Sequence, residues 1–514
     1  MNRHVRTATI TATAALLLPS TIAHAASITD EESMLTPQAG WEVTPISTVG
    51  ESYNGYTPPG ILDGISVFQG QGKGKSKGRM TAYVNHELRT NVGYAYELAN
   101  GTSLTGARIS AYELQTKTLK VLRAELAYDT IFDVEGREVT DSDQINPVNE
   151  GENGIGRLCS ARGIAAGEYG FVDEMHLAGE EQSNGVLFAL DIDSEELWAV
   201  PDAGLLAWEN VSPVDTGDSD TVALMVGDDH EGAPLWLYVG TKQPRGNFLE
   251  RNGLSGGQLY AWVAEANDPA GTFDSPAEFS GNGSTAEGTW VAVDVRNGDG
   301  TLRTTEELDA AADAVGHFAF SRPEDVHDNP ANAQQLVLSS TGRQTWDGGS
   351  DQYGTTYLVD AAFSAGQPTG ATLNIVYDGD DALDQVGIDS MLRSPDNLTW
   401  ASDGSIYVQE DRAISSSLWG TVDASIWRLD PSSTNPADAE RIAIVDSDAV
   451  PEGQIAADEG IGSWETSGIV DVTEFVKTDA EVALLLGVQA HSIEGGTIAD
   501  QGLVEGGQLT LLNN

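Results

Sequence analysis

Short stretches in which apolar and polar residues alternate recur along the whole chain. Each begins with a small polar or Gly-rich entry, continues for five or six residues and ends in a polar exit. The copies are 107–114, 185–191, 256–262, 354–360, 424–430 and 506–512. Alternation with period two, punctuated by Gly, Asp or Asn, is typical of β-strands. The pattern therefore predicts an all-β protein.

The spacing of these copies predicts how the strands are organised. Their starts are 70 to 98 residues apart, and a more hydrophobic strand such as 80–85 precedes most of them. Recurrence at so long a period favours the blades of a propeller over a sandwich. Six copies predict a six-bladed β-propeller with helical and loop insertions of uneven length. No interdomain linker is visible, so residues 26–514 are predicted to form a single domain.

One insertion has the pattern of a helix rather than a strand. Thr304 stands at the position of an N-cap, acidic residues fill the first turn, and an Ala-rich stretch continues to Val315. These are start signals for an α-helix.

Charge restricts the possible partners. The 514 residues include 26 Lys and Arg against 79 Asp and Glu, a formal net charge of −53. A hydrophobic content of 40% is sufficient for a core, so the acidity is not that of a disordered chain. With only seven lysines, a nucleic-acid partner is disfavoured, as is an anionic membrane surface.

The first residues resemble an export signal. Arg3 and Arg6 precede a stretch of apolar or small residues, and the Ala23-His24-Ala25 segment fits a small-residue cleavage site. We predict a signal peptide at 1–25 and a periplasmic or secreted protein. Removing that segment takes away two arginines and no acid, so the mature charge is 24 − 79 = −55. No later apolar run is long enough to span a membrane.

Acidic and amide residues stand at the ends of many predicted strands. They are Glu87, Glu180, Glu181, Glu209, Asn210, Asp228, Asp229, Glu324, Asp325, Asp396, Asn397, Glu410, Asp411 and Glu465. Loops at one end of a propeller converge, and converging carboxylates repel one another unless cations bind. Clustered carboxylate and amide oxygens suit calcium. Each pair taken alone is also compatible with a solvated loop end.

A second calcium signal lies between 294 and 306. Asn297, Asp299, Gly300 and Glu306 fall at positions three, five, six and twelve of an EF-hand loop. Position one is Val295, with Asp294 one place early. The segment is compatible with a separate calcium loop and with a plain acidic turn.

Cys159 is the single cysteine of the chain. It cannot form an internal disulfide, so it is buried and inert, intermolecular, or a reactive or ligating thiol. Exported proteins usually pair their cysteines or have none.

An ordered series of short motifs resembles the PhoX-type alkaline phosphatases. The motifs are 85–87 (Asn-His-Glu), 158–160 (Leu-Cys-Ser), 179–181 (Gly-Glu-Glu), 208–209 (Trp-Glu), 322–324 (Arg-Pro-Glu), 394–397 (Ser-Pro-Asp-Asn) and 489–491 (Gln-Ala-His). The resemblance implies a six-bladed propeller with an iron–calcium cluster that hydrolyses phosphate monoesters. It implies that a cysteine thiolate and glutamates hold iron, that carboxylates hold calcium and that an arginine contacts phosphate.

Carried over to this chain, the resemblance makes Cys159 the iron-binding thiolate and assigns the phosphate contact to Arg322. A structural ion pair with Glu324 or Asp325 is the alternative role for Arg322. Glu87, Glu209 and Glu324 become carboxylate ligands, and Asp396 and Asn397 lie in or beside calcium sites. Further candidate ligands are Glu180, Glu181, Asp228, Glu410 and Glu465. Small-molecule phosphate esters are the implied substrates, and we expect a monomer.

The chain departs from the family pattern in three places. The signal segment lacks twin arginines, and 161–163 reads Ala-Arg-Gly where a Gly-rich stretch is expected. The phosphate-binding lysine ahead of the cysteine is missing, because no lysine lies between Lys120 and Lys242. Arg157 or Arg162 are the candidates to replace it, each as a planar fork rather than a point charge.

Other chemistries leave two alternatives. A calcium-dependent propeller hydrolase, lactonase-like or phytase-like, would leave Cys159 merely buried. A non-catalytic envelope propeller would bind calcium and a partner at its rim. A serine-nucleophile phosphatase has little support, because no Ser/His/Asp arrangement of recognised context and no Gly-Lys phosphate loop occur.

Overall fold

A computed structural model describes residues 28–70, 77–146, 148, 154–265, 275–346 and 349–514. The predicted all-β class is confirmed, because strands dominate and the α-helices are few and short. The predicted signal peptide at 1–25 lies outside the described residues. None of the described helices is sufficiently long and apolar to cross a membrane. The α-helices are Phe248–Arg251, Thr305–Val315, Gly379–Val386, Ser416–Trp419 and Thr497–Gln501.

Most strands form six antiparallel groups of four, which follow one another along the chain. The first three are Leu62–Gln69, Arg79–His86, Arg108–Gln115 and Val121–Leu126; Leu158–Ile164, Met175–Glu180, Gly185–Asp191 and Glu196–Ala199; and Trp208–Val214, Thr221–Asp228, Trp236–Thr241 and Gln258–Ala264. The last three are Pro323–Asn329, Asn332–Ser340, Thr355–Ser364 and Gln367–Asp378; Pro395–Trp400, Ile406–Glu410, Ser425–Leu429 and Glu440–Val445; and Glu465–Asp471, Ala483–Ala490, Gly506–Asn513 and Glu42–Thr48.

Additional strands extend these groups at their edges. Thr285–Val293 pairs with both the third and the fourth group and joins them into one nine-stranded sheet. Thr130–Phe132 runs parallel to the fourth strand of the second group, and Leu35–Pro37 pairs with the fourth strand of the fifth. The remaining short strands are Tyr96–Glu97, Ser103–Leu104, Leu205–Leu206, Arg343–Trp346, Gly349–Asp351, Gln454–Ala456 and Ile493–Gly496.

The repeated sequence phrase marks a fixed place in these groups. Five of its six copies are the third strand of their group. The third group differs by one strand: there the copy at 256–262 is the fourth strand, Gln258–Ala264. Its third strand, Trp236–Thr241, is the hydrophobic run that elsewhere comes second.

The first strands of neighbouring groups pack side by side, and that of the sixth group returns to the first. The chain ends close this arrangement. Glu42–Thr48 is the outermost strand of the sixth group, hydrogen-bonded to the C-terminal strand Gly506–Asn513. Leu509 and Leu512 of that C-terminal strand are fully buried. The ends of the chain therefore stabilise each other through both the strand ladder and the core.

The helix Thr305–Val315 begins as the sequence predicts. The Thr304 hydroxyl accepts a hydrogen bond from the Glu307 amide at 3.2 Å, and the Glu307 carboxylate accepts one from the Thr304 amide at 3.1 Å. This reciprocal pair satisfies two amide groups that a helix start otherwise leaves unpaired. Leu308 and Ala312 are buried beneath the helix.

We predict that Leu512→Ala lowers the free energy of unfolding by about 2–5 kcal/mol, because it leaves a cavity where the two chain ends join. The matched control is Glu42→Ala, which removes an exposed side chain from the partner strand and should change the value by about 0.5 kcal/mol or less. Urea unfolding followed by tryptophan fluorescence measures both. Equal midpoints for the two variants would show that this junction does not contribute to the core.

Candidate active site

A β-bulge near the start of a first strand presents one ligand-type side chain in five of the six groups. In each, two residues of the first strand lie opposite a single residue of the second. A bulge re-aims the side chain that it carries and is frequent beside active sites. The first residues of these five bulges are Asp63, Cys159, Glu209, Glu324 and Asp396. The sixth first strand begins with Glu465 and carries its bulge further on, after Ser467.

These side chains converge with others into one cluster, which we call the central cluster. Four sets of three ligand atoms can be defined, and within each set the atoms lie within 4.8 Å of one another. Successive sets share Cys159, Glu209 or Asp396. The Cys159 sulfur lies 3.2 Å from Glu209 Oε1 and 3.4 Å from Asp63 Oδ2. The members are Asp63, Glu87, Cys159, Glu181, Glu209, Glu324, Asp396, Asp411 and Glu465, which are eight carboxyl groups and one thiol.

The Asn-His-Glu motif divides its three side chains between support and cluster. Asn85 donates hydrogen bonds to the carbonyls of Cys159 and Ser160 at 2.7 and 3.2 Å, and so holds the backbone of that bulge. His86 lies between the Gly60 carbonyl and the Ser110 hydroxyl, and burial lowers its pKa to about 3, so it is neutral. Only Glu87 reaches the cluster.

Two arginines accompany the cluster. Arg157 donates to Glu87 at 2.7 Å and forms an ion pair with Glu181. Arg322 holds Asp229 with both prongs of its guanidinium and lies 3.3 Å from Glu324. Burial raises the pKa of Asp229, but the charge of Arg322 and the hydrogen bonds that Asp229 makes together hold the pKa well below its usual range. Both guanidinium groups are therefore fixed in orientation by carboxylates.

Burial and mutual repulsion disfavour the ionisation of several cluster groups when cations are absent. Burial, with repulsion from Glu87, raises the pKa of Asp63 to about 7. Burial, with repulsion from other neighbouring carboxylates, raises the pKa values of Glu209 and Asp396 well above their usual range. Burial, together with the charges of Asp63 and Glu209, likewise raises the pKa of the Cys159 thiol well above its usual range. A cation bound here would reverse these shifts and ionise the groups.

Unpaired oxygens also face this region. Asp63 Oδ1 and Gln489 Oε1 are buried and have no hydrogen-bond partner, although Gln489 donates to the other Asp63 oxygen at 2.9 Å. Buried polar atoms are rarely left unpaired in proteins. The surplus of oxygen acceptors suits hard cations such as calcium, and the thiol adds a ligand that suits iron. The donor set therefore fits a mixed cluster of metal ions.

A second layer of polar residues supports the bulges from below. Asp325 accepts hydrogen bonds from Ser160 at 3.4 Å, from the Leu398 amide at 2.8 Å and from the Asn210 side chain. Asn397 accepts from Ser467 at 2.6 Å and points its amide nitrogen at Glu209, 3.3 Å away. The amide oxygen of Asn397 therefore already accepts a hydrogen bond from Ser467, and its amide nitrogen orients Glu209.

In addition to Asn397 and Asp228, three sequence-predicted residues lie outside the cluster. Glu180 accepts from the amides of Gly156 and Val186 at 2.8 and 3.0 Å, on the other side of its strand from Glu181. Glu410 is saturated by the fully buried Arg393 and by two amides. Arg162, three residues beyond Cys159 on the same strand, binds Asp328 and Glu168 and lines a separate cavity of about 630 Å³.

The EF-hand-like segment is a hydrogen-bonded turn. The Asn297 amide donates to the Thr301 carbonyl at 2.8 Å, and Asp299 accepts from Thr301. The Asn297 side-chain nitrogen, not its oxygen, faces Glu307, and Glu306 is exposed on the first turn of the following helix. No trio of acidic ligand atoms gathers in this part of the described chain.

Sequence reasoning missed Asp63, and it named Asp411 and Asp229 only as members of acidic pairs. A usable signal existed for Asp63. The first strands begin with an apolar residue or Pro, then an acid or Cys, then a small or polar residue, and Leu62-Asp63-Gly64 fits that phrase. Gly64 is required there, because a Cβ at that position would lie 2.3 Å from backbone atoms of Ser160 and Ala161.

The comparisons with known proteins agree with this geometry. The sequence profile of the family described as Alkaline phosphatase PhoX matches residues 152–428. The fold matches Pseudomonas fluorescens PhoX in complex with vanadate, a transition-state analogue, with a TM-score of 0.63 and 15% identity over 96% of this chain and 97% of that one.

Weaker structural matches include the GH93 α-L-arabinofuranosidase of Fusarium graminearum, with a TM-score of 0.34 and 10% identity over 91% of this chain and 97% of that one. No curated protein matches the sequence. The family profile covers more than half of the chain and includes Cys159, Glu209, Arg322 and Asp396. This chain therefore belongs to the PhoX family of alkaline phosphatases.

Proposed function

We propose that this alkaline phosphatase, a phosphoric monoester hydrolase, acts at an iron–calcium cluster in the centre of a six-bladed propeller. The observation that carries the proposal is the convergence of eight carboxyl groups and the only thiol of the chain in one cluster. Five of its members are buried and four, Glu87, Asp396, Asp411 and Glu465, are partly buried. Such a concentration of like charge is stable only when cations neutralise it.

The six strand groups support the propeller. Each is a four-stranded antiparallel sheet whose first strand contacts the first strands of its neighbours, and the sixth group completes the circle. The five bulged first strands bring their ligand residues to one level. Residues 26–514 act as one domain in this proposal, because the N-terminal strand completes the last group.

The ligands divide by chemistry. Cys159 with neighbouring carboxylates, Glu209 foremost, forms the iron site, since thiolate selects iron over calcium. Asp63, Glu87, Glu181 and Glu324 share the surrounding metals. Asp396, Asp411 and Glu465 form an oxygen-only set that suits calcium. When bound, the metal ions supply Lewis acidity and positive charge for the phosphoryl group.

Arg322 and Arg157 bind and orient the phosphate. Each guanidinium is anchored on one edge by carboxylates, which leaves other N–H groups to donate to a phosphoryl oxygen. Fixed donors cost no reorganisation as charge develops in the transition state. Arg157 rather than Arg162 takes the place of the family's lysine, because only Arg157 contacts cluster residues.

The surroundings of the protein follow from its charge and its N-terminus. We propose export to the periplasm or the medium, directed by the segment 1–25, without membrane insertion. Small phosphate esters are the substrates and nucleic acid is not a partner, since the surface is strongly acidic. We propose a monomer, without a separate calcium at 297–306.

The first test replaces the thiol. We expect Cys159→Ala to lose iron and to reduce hydrolysis of an aryl phosphate at alkaline pH by at least about 10²-fold. Metal content and turnover are measured on the same samples. The matched control is Glu180→Gln, which alters a buried acid next to the cluster residue Glu181 and should retain both metals. Full iron and turnover in Cys159→Ala would refute the ligand assignment; wild-type protein with calcium but no iron would favour a calcium-only propeller hydrolase.

A second test distinguishes the arginines. We expect Arg157→Ala and Arg322→Ala each to lower kcat/KM by about 10²–10³-fold, because each removes a charged donor to the phosphoryl group. Arg162→Ala is the matched control and should keep kcat/KM within about threefold, provided that its fold is intact. Circular dichroism and metal content verify folding. A loss confined to Arg162→Ala would reassign the phosphate contact.

The third test uses pH. The folded-state pKa of Asp63 is raised from 3.8 to about 7. Its contribution to stability is therefore present below pH 4 and lost as pH rises through 7. In chelated protein, we expect wild type to lose about 2–3 kcal/mol relative to Asp63→Asn between pH 5 and 8, and metal loading should abolish the difference.

Asp351→Asn is the control for this measurement. Asp351 is another buried aspartate with a pKa raised to about 7, mainly by burial, but it lies outside the central cluster. Its substitution should change the pH dependence equally in chelated and loaded protein. Urea unfolding at each pH measures all three proteins. If metals leave the Asp63 effect unchanged, Asp63 is not a ligand.

A further inference from the structure

A second trio of ligand-type side chains lies outside the central cluster. Asp228 ends the strand Thr221–Asp228, His230 follows two residues later, and Asp309 comes from the helix Thr305–Val315. His230 Nε2 lies 3.4 Å from Asp228 Oδ2 and 3.2 Å from Asp309 Oδ1. The three ligand atoms thus surround one point, contributed by two elements far apart in sequence.

The geometry is poor for hydrogen bonds. His230 Nε2 and Asp309 Oδ1 are both shielded from solvent, yet neither makes a hydrogen bond of acceptable geometry, in spite of the short separations. Ligand atoms about 2.0–2.2 Å from a tetrahedral metal are about 3.3 Å apart, and the oxygens then lie to the side of the nitrogen's lone-pair axis. The observed N···O distances and the failed hydrogen bonds both match that arrangement.

The outer contacts fix the orientation of the trio. The opposite ring nitrogen of His230, Nδ1, lies 3.3 Å from the Glu231 carbonyl, which leaves Nε2 to face the carboxylates. Asp228 accepts from the Ala207 amide at 2.9 Å and from the Trp236 indole at 2.8 Å. Metal-binding His and Asp residues are typically oriented by such second contacts.

We propose that Asp228, His230 and Asp309 bind one divalent transition-metal ion of the zinc class. The imidazole favours such an ion over calcium or magnesium, which prefer oxygen alone. Three protein ligands leave a fourth position for water, and the His230 and Asp309 side chains are 27% and 34% exposed, so the ion can enter.

A metal ion bound here would neutralise the two carboxylates, Asp228 and Asp309, that lie beside His230. Asp229, the residue after Asp228, accepts hydrogen bonds from Arg322. A bound ion would therefore connect the helix Thr305–Val315 to the backbone segment that positions Arg322. The proposal does not depend on the assignment of the central cluster.

The test counts metal on the full chain. Protein loaded with iron and calcium is dialysed against excess zinc at pH 8, and all three metals are measured by mass spectrometry. We expect one additional zinc equivalent in wild type, lost in both His230→Gln and Asp309→Asn. The matched control is Asp313→Asn, on the next turn of the same helix and 76% exposed, which should keep the additional zinc.

Cobalt replaces zinc in a second measurement, because its visible spectrum distinguishes nitrogen and oxygen ligands from sulfur. Equal zinc in all four proteins, or none in wild type, would overturn the proposal and leave an imidazolium ion pair. A sulfur-type cobalt spectrum would place the metal at Cys159 instead. Iron and calcium, counted separately, report on the central cluster, so failure there is recognised independently.

Discussion

Repulsion among clustered carboxylates is the constraint on which the centre of this protein depends. Eight carboxyl groups, four buried and four partly buried, and a buried thiol share one region with two arginines, each of which is already paired with acids. The interior amplifies like-charge repulsion, so these groups remain protonated or require cations. The backbone that holds these groups together must therefore be rigid. The surrounding sheets provide this rigidity, because the N-terminal and C-terminal strands pair within the sixth group.

The five β-bulges allow otherwise regular strands to direct ligand-type side chains into one cluster. In a flat strand, adjacent side chains point to opposite faces. Glu180 is the last residue of its strand and is a structural acceptor, whereas Glu181 follows that strand and belongs to the cluster. An added residue at the start of five first strands changes that alternation and turns one side chain of each toward the centre. The next residues form the layer around Asp325, which holds neighbouring bulges in register.

The sequence allowed the strand pattern, the capped helix and most of the cluster to be predicted, because these depend on local periodicity and on residue type. It could not separate members of an acidic pair, since that depends on the register with the partner strand. Glu410 has the composition of a ligand, but the distant Arg393 saturates it. Asp63 lies in a stretch without a second acid beside it, and only comparison of all first strands reveals its place.

The position of an arginine along the chain determines whether it can donate hydrogen bonds to phosphate at the proposed site. Arg157 and Arg162 are five residues apart, a separation of about 16 Å along an extended chain. Arg157 therefore sits at the bulge end beside Glu87, while Arg162 binds Asp328 and Glu168 at a different cavity. In a chain with a net charge of −53, a dianion is attracted only where cations are concentrated. In the proposed function, Arg157 and Arg322 lie at that place, and because carboxylates fix their orientation they contribute direction as well as charge.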